Sequence, residues 1–182
     1  GEVLERVGKV DTIVFDKTGT LTSGNPRVVD VILAPGIQFD PERLLIFAGS
    51  LEKGSEHPLG IAVVAEAQRR GLKLNTPSDF SALPGFGVKG IVAGKSVLLG
   101  NKGLMVKNQI DLSSIDTQLD KSTENGKTPL IVCIDGQVAG FITAMDTIKP
   151  HAKENVLQLK QLGLEVIMLT GDNCKTAQVV AE

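Results

Sequence analysis

The chain has 182 residues, a net charge of −2, 42% hydrophobic and 22% charged residues, and neither Trp nor Tyr. That length fits one domain or two small ones, the composition is that of an ordinary globular protein, and the absence of a long basic run argues against nucleic acid as a partner. No apolar run reaches the ~20 residues that span a bilayer, and no signal peptide opens the chain. Cys133 and Cys174 lack metal-ligand spacing and read as free thiols of a reducing cytosol.

After an amphipathic lead-in over residues 1–11, Thr12-Ile13-Val14-Phe15 is short, apolar and β-branched, which predicts a buried strand. Asp16-Lys17-Thr18-Gly19-Thr20-Leu21-Thr22 follows it. Ligands of open α/β sheets bind beyond the carboxyl ends of strands. A carboxylate at such an end, followed by a Gly and hydroxyl residues, suits a phosphoryl group. Asp16 acts on it as a nucleophile while N–H groups and hydroxyls of the loop face its oxygens. Ser23-Gly24-Asn25-Pro26 reads as a linker, and Val28–Leu33 as a strand ended by Pro35-Gly36. Asp40-Pro41-Glu42 is a helix start, with Leu44, Leu45, Phe47, Ala48 and Leu51 as the apolar face.

Gly54-Ser55-Glu56-His57-Pro58 interrupts the helical pattern, and a second helix runs from about Pro58 to Arg70 with Gly71 as its stop. Beyond Ser78 the period becomes two. Val88–Val92 and Ser96–Leu99 predict one hairpin, and Leu130–Ile134, Asp135-Gly136 and Val138–Ile142 a second, separated by a helix over Ser113–Ser122 that stops near Gly126. From Asp146 the pattern changes again. A helix over Pro150–Leu162 precedes a buried strand, Glu165–Leu169, with Thr170-Gly171-Asp172 at its carboxyl end and another helix opening near Cys174. The fold class is therefore α/β with α+β. Residues 1–24 and 143–182 form a discontinuous doubly wound unit, and 25–142 is an α+β unit with an antiparallel sheet inserted into it.

The seven residues from Asp16 to Thr22 match the phosphorylation signature of P-type ATPases, and the chain resembles that family within the haloacid-dehalogenase superfamily. Phosphatases of the superfamily carry a second Asp two residues after the nucleophile as general acid/base. Thr18 stands there, so the resemblance implies an aspartyl-phosphate that persists, as a pump requires. Thr170-Gly171-Asp172 resembles the second phosphoryl-contacting motif, and Asp146 with Lys149 resembles the Asp-x-x-Lys/Arg element. The resemblance places Asp16, Lys17, Thr18, Thr170, Gly171 and Asp172 at the catalytic site, with Mg2+ held at Asp16 and Thr18.

Glu52 and Ser55-Glu56-His57-Pro58-Leu59 resemble the nucleotide-binding signature of the heavy-metal branch, completed by Gly85-Phe86-Gly87-Val88 and Gly100-Asn101. A neutral imidazole can lie against a purine, a carboxylate can accept the exocyclic amine, and closely spaced glycines permit backbone approach to a flat ring. The resemblance thus implies ATP bound about Glu52, His57, Gly85, Gly87, Gly100 and Asn101. A Phe stacking platform of the kind used by larger ion-motive pumps is not recognisable. Stacking is therefore expected to be modest and affinity about 0.1–1 mM.

The implied whole is a heavy-metal pump, Cu(I) first and zinc or cadmium second. This chain is then a soluble excised piece from the cytoplasmic face of a membrane. Its expected partners are the transmembrane and actuator domains and a metallochaperone or metal-binding domain. The family's later Lys and Gly-Asp-Gly-x-Asn-Asp segments are not reached by Glu182, so weak turnover by residues 1–182 is expected. A soluble phosphatase with an inserted cap, or a non-catalytic nucleotide sensor, are the alternatives.

Overall fold

The computed structural model describes residues 10–170. In chain order the first elements are β1 (Thr12–Asp16), β2 (Arg27–Leu33), α1 (Pro41–Leu51), α2 (Pro58–Arg69), β3 (Ser78–Leu83) and β4 (Gly87–Val92). There follow β5 (Lys95–Gly100), α3 (Lys102–Lys107), α4 (Asp116–Glu124), β6 (Thr128–Ile134), β7 (Gln137–Met145), α5 (Ala152–Gln161) and β8 (Glu165–Leu169). Among the described residues these pack as two compact units, one comprising 10–25 and 146–170, the other Pro26–Met145. Because β7 continues through Met145, residues 143–145 belong to the sheet of the inserted unit.

The inserted unit is a six-stranded antiparallel sheet in the order β2-β7-β6-β5-β4-β3. Its centre is β6, whose pleat sends alternate side chains to opposite faces. Leu130, Val132 and Ile134 join Leu44, Leu45, Leu51 and Val63 of α1 and α2 in one core. Ile131 and Cys133 join Leu104, Met105 and Leu119 of α3 and α4 in the other. Burial pushes the Cys133 thiol up to about 12, so it is an inert core residue. The two hairpins turn through Ala93-Gly94 and Asp135-Gly136, all four at positive φ, which matches the twist of the flanking strands. Asp40 caps α1 by accepting from the Arg43 N–H at 2.8 Å, with Pro41 in the first turn.

Two elements were not foreseen from the sequence. β3 is masked by a bulge: its register with β4 passes from Ser78↔Ile91 to Ser81↔Lys89, which leaves one extra residue on β3, and Asp79 takes φ 49°. α3 is short and contains Gly103, so its periodicity is too brief to read; Asn101 caps it by accepting from the Leu104 N–H at 3.0 Å. The helix expected over Ser113–Ser122 begins at Asp116 and continues to Glu124, and the one expected over Pro150–Leu162 spans Ala152–Gln161.

In the other unit β1 and β8 pair in parallel, from Thr12↔Glu165 to Asp16↔Leu169, and α5 packs against β8. Both strands were expected to be buried. Instead Val14 is 56% and Leu169 64% exposed. Among the described residues each strand has one partner, and one helix covers part of the pair, so alternate side chains stay open. Gly171, Asp172 and the helix expected near Cys174 lie outside the described residues.

Candidate functional site

Asp16 ends β1 beside Leu169, so its carboxylate and the Thr170 that follows β8 leave the same edge of a parallel pair. The chain then folds into a tight turn over Lys17–Leu21, in which Gly19 takes φ 79°. Lys17 is buried, whereas Asp16, Thr18, Gly19 and Thr20 are exposed. The turn is closed by the Thr22 N–H donating to the Lys17 carbonyl at 3.0 Å and by the Gly19 N–H donating to the Thr22 hydroxyl at 3.3 Å.

Asp146 holds this turn from the other end of the unit's discontinuous chain. Its carboxylate accepts from the Thr22 hydroxyl at 2.5 Å, the Ser23 hydroxyl at 2.8 Å and the Gly24 N–H at 3.1 Å. The Lys149 ammonium donates to the Gly19 carbonyl at 2.5 Å, and the Lys149 N–H to the Leu21 carbonyl at 2.9 Å. The sequence reading noted the Asp-x-x-Lys spacing but left both residues out of the site, and it missed Thr22 as a supporting residue. The signal was in hand; what it lacked was the knowledge that residues 124 positions apart share one loop.

The Pro26–Met145 unit carries a cleft of about 600 Å³, lined among others by Glu52, His57, Gly85, Gly87, Gly100 and Asn101. α1 ends in a short helical turn, Glu52–Gly54, which delivers Glu52. Glu52 is 6% exposed, and its Oε2 has no hydrogen-bond partner among the described residues. Burial raises its pKa, against the opposing pull of the Ser55 hydroxyl and of His57. A Cβ on Gly60 would collide with this carboxylate, so Gly60 makes room for it. His57 caps α2 as well as lining the cleft: its Nδ1 accepts from the Leu59 N–H at 3.2 Å. That bond leaves Nε2 as the ring's donor.

The glycines divide by role. Gly87 and Gly100 are cross-strand partners, and a Cβ on either would strike backbone, the Leu99 carbonyl for Gly87 and the Phe86 carbonyl for Gly100. The β4–β5 pairing itself requires both. A Cβ on Gly85, at φ 75°, would meet nothing within 4 Å, so Gly85 alone of the three leaves open space. Asn101 ties the segments together, donating from Nδ2 to the Gly85 carbonyl at 2.8 Å while capping α3. The lining also includes Phe80, exposed on β3, which the sequence reading did not select because β3 itself was unseen.

Chemically, one unit offers an exposed carboxylate on a rigid turn at a strand end. The other offers an apolar cleft with a few convergent polar groups, the usual form of a small-molecule site. Among the described residues there is no group of three or more His, Cys, Asp or Glu side chains that could hold a metal, and no helix is long and apolar enough to cross a membrane.

Comparison with known proteins agrees with this layout. The copper-exporting P-type ATPase of Bacillus subtilis is 43% identical over 182 residues, all of this chain and 22% of that protein. A crystal structure of a zinc-transporting PIB-type ATPase in its E2.Pi state superposes with a TM-score of 0.76 at 34% identity, covering 98% of this chain and 28% of that one. The catalytic domain of the CPx-ATPase CopB-B, studied for its conformational changes upon nucleotide binding, gives 0.71 at 26% identity, over 100% of this chain and 60% of that one. The chain thus spans about a fifth of the length of its Bacillus relative. The family model for haloacid dehalogenase-like hydrolases matches residues 10–182, and with a carboxylate set at the carboxyl end of a parallel strand, this chain belongs to that family.

Proposed function

We propose that this chain is the phosphorylation and nucleotide-binding region of a heavy-metal-transporting P-type ATPase, with Cu(I) as the cargo. The observation that carries the reading is Asp16, exposed at a parallel strand end and followed by Lys-Thr-Gly-Thr-Leu-Thr, in a chain 43% identical along its whole length to a copper-exporting P-type ATPase. An Asp16 carboxylate oxygen attacks the γ-phosphorus of ATP, the bond to the β–γ bridging oxygen breaks, and ADP leaves with that electron pair. Lys17, Thr18 and Thr170 contact the phosphoryl group, as do Gly171 and Asp172. Thr18, unlike an Asp, cannot activate water, so the acyl phosphate persists.

ATP is held by Glu52, His57, Gly85, Gly87, Gly100 and Asn101. The Glu52 Oε2, buried without a partner, suits the exocyclic amine of adenine, and the His57 Nε2 is available as a donor. The donor chemistry at the other unit fits Mg2+: Asp16 and Thr18 offer exposed oxygens, and this ion takes one or two carboxylates with phosphate oxygens and water. When bound, it offsets charge on the transferring phosphoryl group. In the intact protein the region lies on the cytoplasmic face of a membrane and works with transmembrane and actuator domains and a metallochaperone or metal-binding domain.

The test is phosphorylation of the intact protein with γ-labelled ATP. Hydroxylamine-sensitive label is expected, and none on Asp16→Asn. Undiminished label on Asp16→Asn would overturn the assignment. The likeness to a zinc-transporting structure favours zinc or cadmium as the second reading; label formed only with Zn2+, and not with Cu(I), would select it.

A further inference from the structure

We propose that Phe80 is the aromatic wall against which the base of the bound nucleotide stacks, and that the β3 bulge aims it there. The inference rests on the reading of the cleft as a nucleotide site and adds a specificity-determining residue to it.

Of the six Phe residues in the chain, Phe80 and Phe86 line the cleft. Phe86 is already engaged: the Lys107 ammonium sits 3.5 Å from its ring centroid, and its ring edge lies 3.4 Å from where a Cβ on Gly103 would be. Phe47 and Phe141 are buried, and Phe39 packs against Phe47 under the Arg43 guanidinium. Phe80 is 43% exposed and has no ring partner among the described residues.

Its direction follows from the sheet. Ala82 pairs with Val88, which faces the core of α1 and α2, and Phe80, in the bulge opposite Gly90, lines the same cleft as both. Val88, Leu99 and Leu130 on the same face form the apolar floor of the cleft. The extra residue of the bulge falls between Ser78 and Ser81, with Asp79 in the left-handed region. Bulges beside active sites re-aim side chains, and such strained residues collect at ligand sites. Opposite the bulge Gly90 has no side chain to intrude: a Cβ there would meet the Leu51 Cδ1 at 2.9 Å and the Phe80 Cα at 3.3 Å. The arrangement leaves an apolar aromatic face bordering a cleft whose polar lining includes Glu52, His57 and Asn101. An edge-polar, flat heteroaromatic base satisfies both.

The experiment is a titration of the 182-residue chain and its Phe80→Ala, Phe80→Leu and Phe80→Trp variants with ATP and with inorganic tripolyphosphate, folding being checked by amide spectra. Stacking predicts that Phe80→Ala and Phe80→Leu weaken ATP binding by about fivefold to tenfold and leave tripolyphosphate binding unchanged. Since the chain has no Trp of its own, Phe80→Trp supplies a single reporter whose emission ATP quenches and tripolyphosphate does not. A parent chain that binds ATP while Phe80→Ala binds it equally well sinks the inference and leaves the cleft reading standing. A parent chain that binds no ATP sinks both.

Discussion

At the scale of single residues, Glu52 carries the sharpest conflict between stability and use. A carboxyl group with its Oε2 buried and unpartnered costs free energy when ionised, and burial raises its pKa accordingly. The folded chain therefore holds this proton more tightly than the unfolded chain. Stability falls as pH rises through the ordinary carboxylate range toward the folded value, and the penalty is complete above it. Glu52→Gln removes the penalty. Its urea midpoint is expected to exceed the parent's at pH 7 and to converge on it in acid, while ATP affinity drops because an amide is a weaker acceptor. A midpoint at pH 7 equal to or below the parent's would contradict the assignment of strain to this carboxylate. Gaining stability while losing binding is the usual trade at a site.

Among the elements, α2 shows charge working in the opposite sense. Glu66 takes both following arginines, Arg69 at 2.7 Å and Arg70 at 2.7 Å. Its hydrogen bond with Arg69 is the largest cause holding its carboxyl down at about 2, helped by Arg70. A depressed carboxylate stabilises the fold above its unfolded pKa and loses that contribution as pH falls through the folded value. The window runs from the ordinary glutamate value of about 4.3 down to about 2. Because the Arg69 side chain is 71% exposed, solvent screens the pair, and its contribution is small. Denaturation series across that window should show a shallower acid loss for Glu66→Gln than for the parent; identical slopes would exclude the pair as a contributor.

For the molecule as a whole, the decisive residue is Asp146, which joins the two ends of the discontinuous unit next to the chain crossings at Asn25–Pro26 and Met145–Asp146. Asp146→Ala would leave the Gly24 N–H without its acceptor and the fully buried Thr22 hydroxyl with the Lys17 carbonyl, at 3.1 Å, alone, a loss of about 1–3 kcal/mol. Amide exchange is expected to accelerate over Thr22–Gly24 and around Gly19, whose N–H donates to the Thr22 hydroxyl, and to stay unchanged in the β4–β5 hairpin. Uniform acceleration in both units would instead mean that they open as one body.

The local sequence was sufficient wherever one short stretch settles the matter. Asp40-Pro41 announced α1, the period-two runs about Ala93-Gly94 and the Asp135-Gly136 turn announced the hairpins, and the apolar runs before Asp16 and Thr170 announced β1 and β8, because caps, turns and strand ends are set by near neighbours. The seven residues from Asp16 to Thr22 likewise carried the family resemblance without help. What lies between distant segments waited for the tertiary structure. That Asp146 and Lys149 clasp the turn after β1, that Gly87 and Gly100 are demanded by strand pairing, and that Phe80 on a bulged strand lines the cleft all depend on contacts between positions remote in the chain. Such contacts are fixed by packing and register, which no window of consecutive residues records.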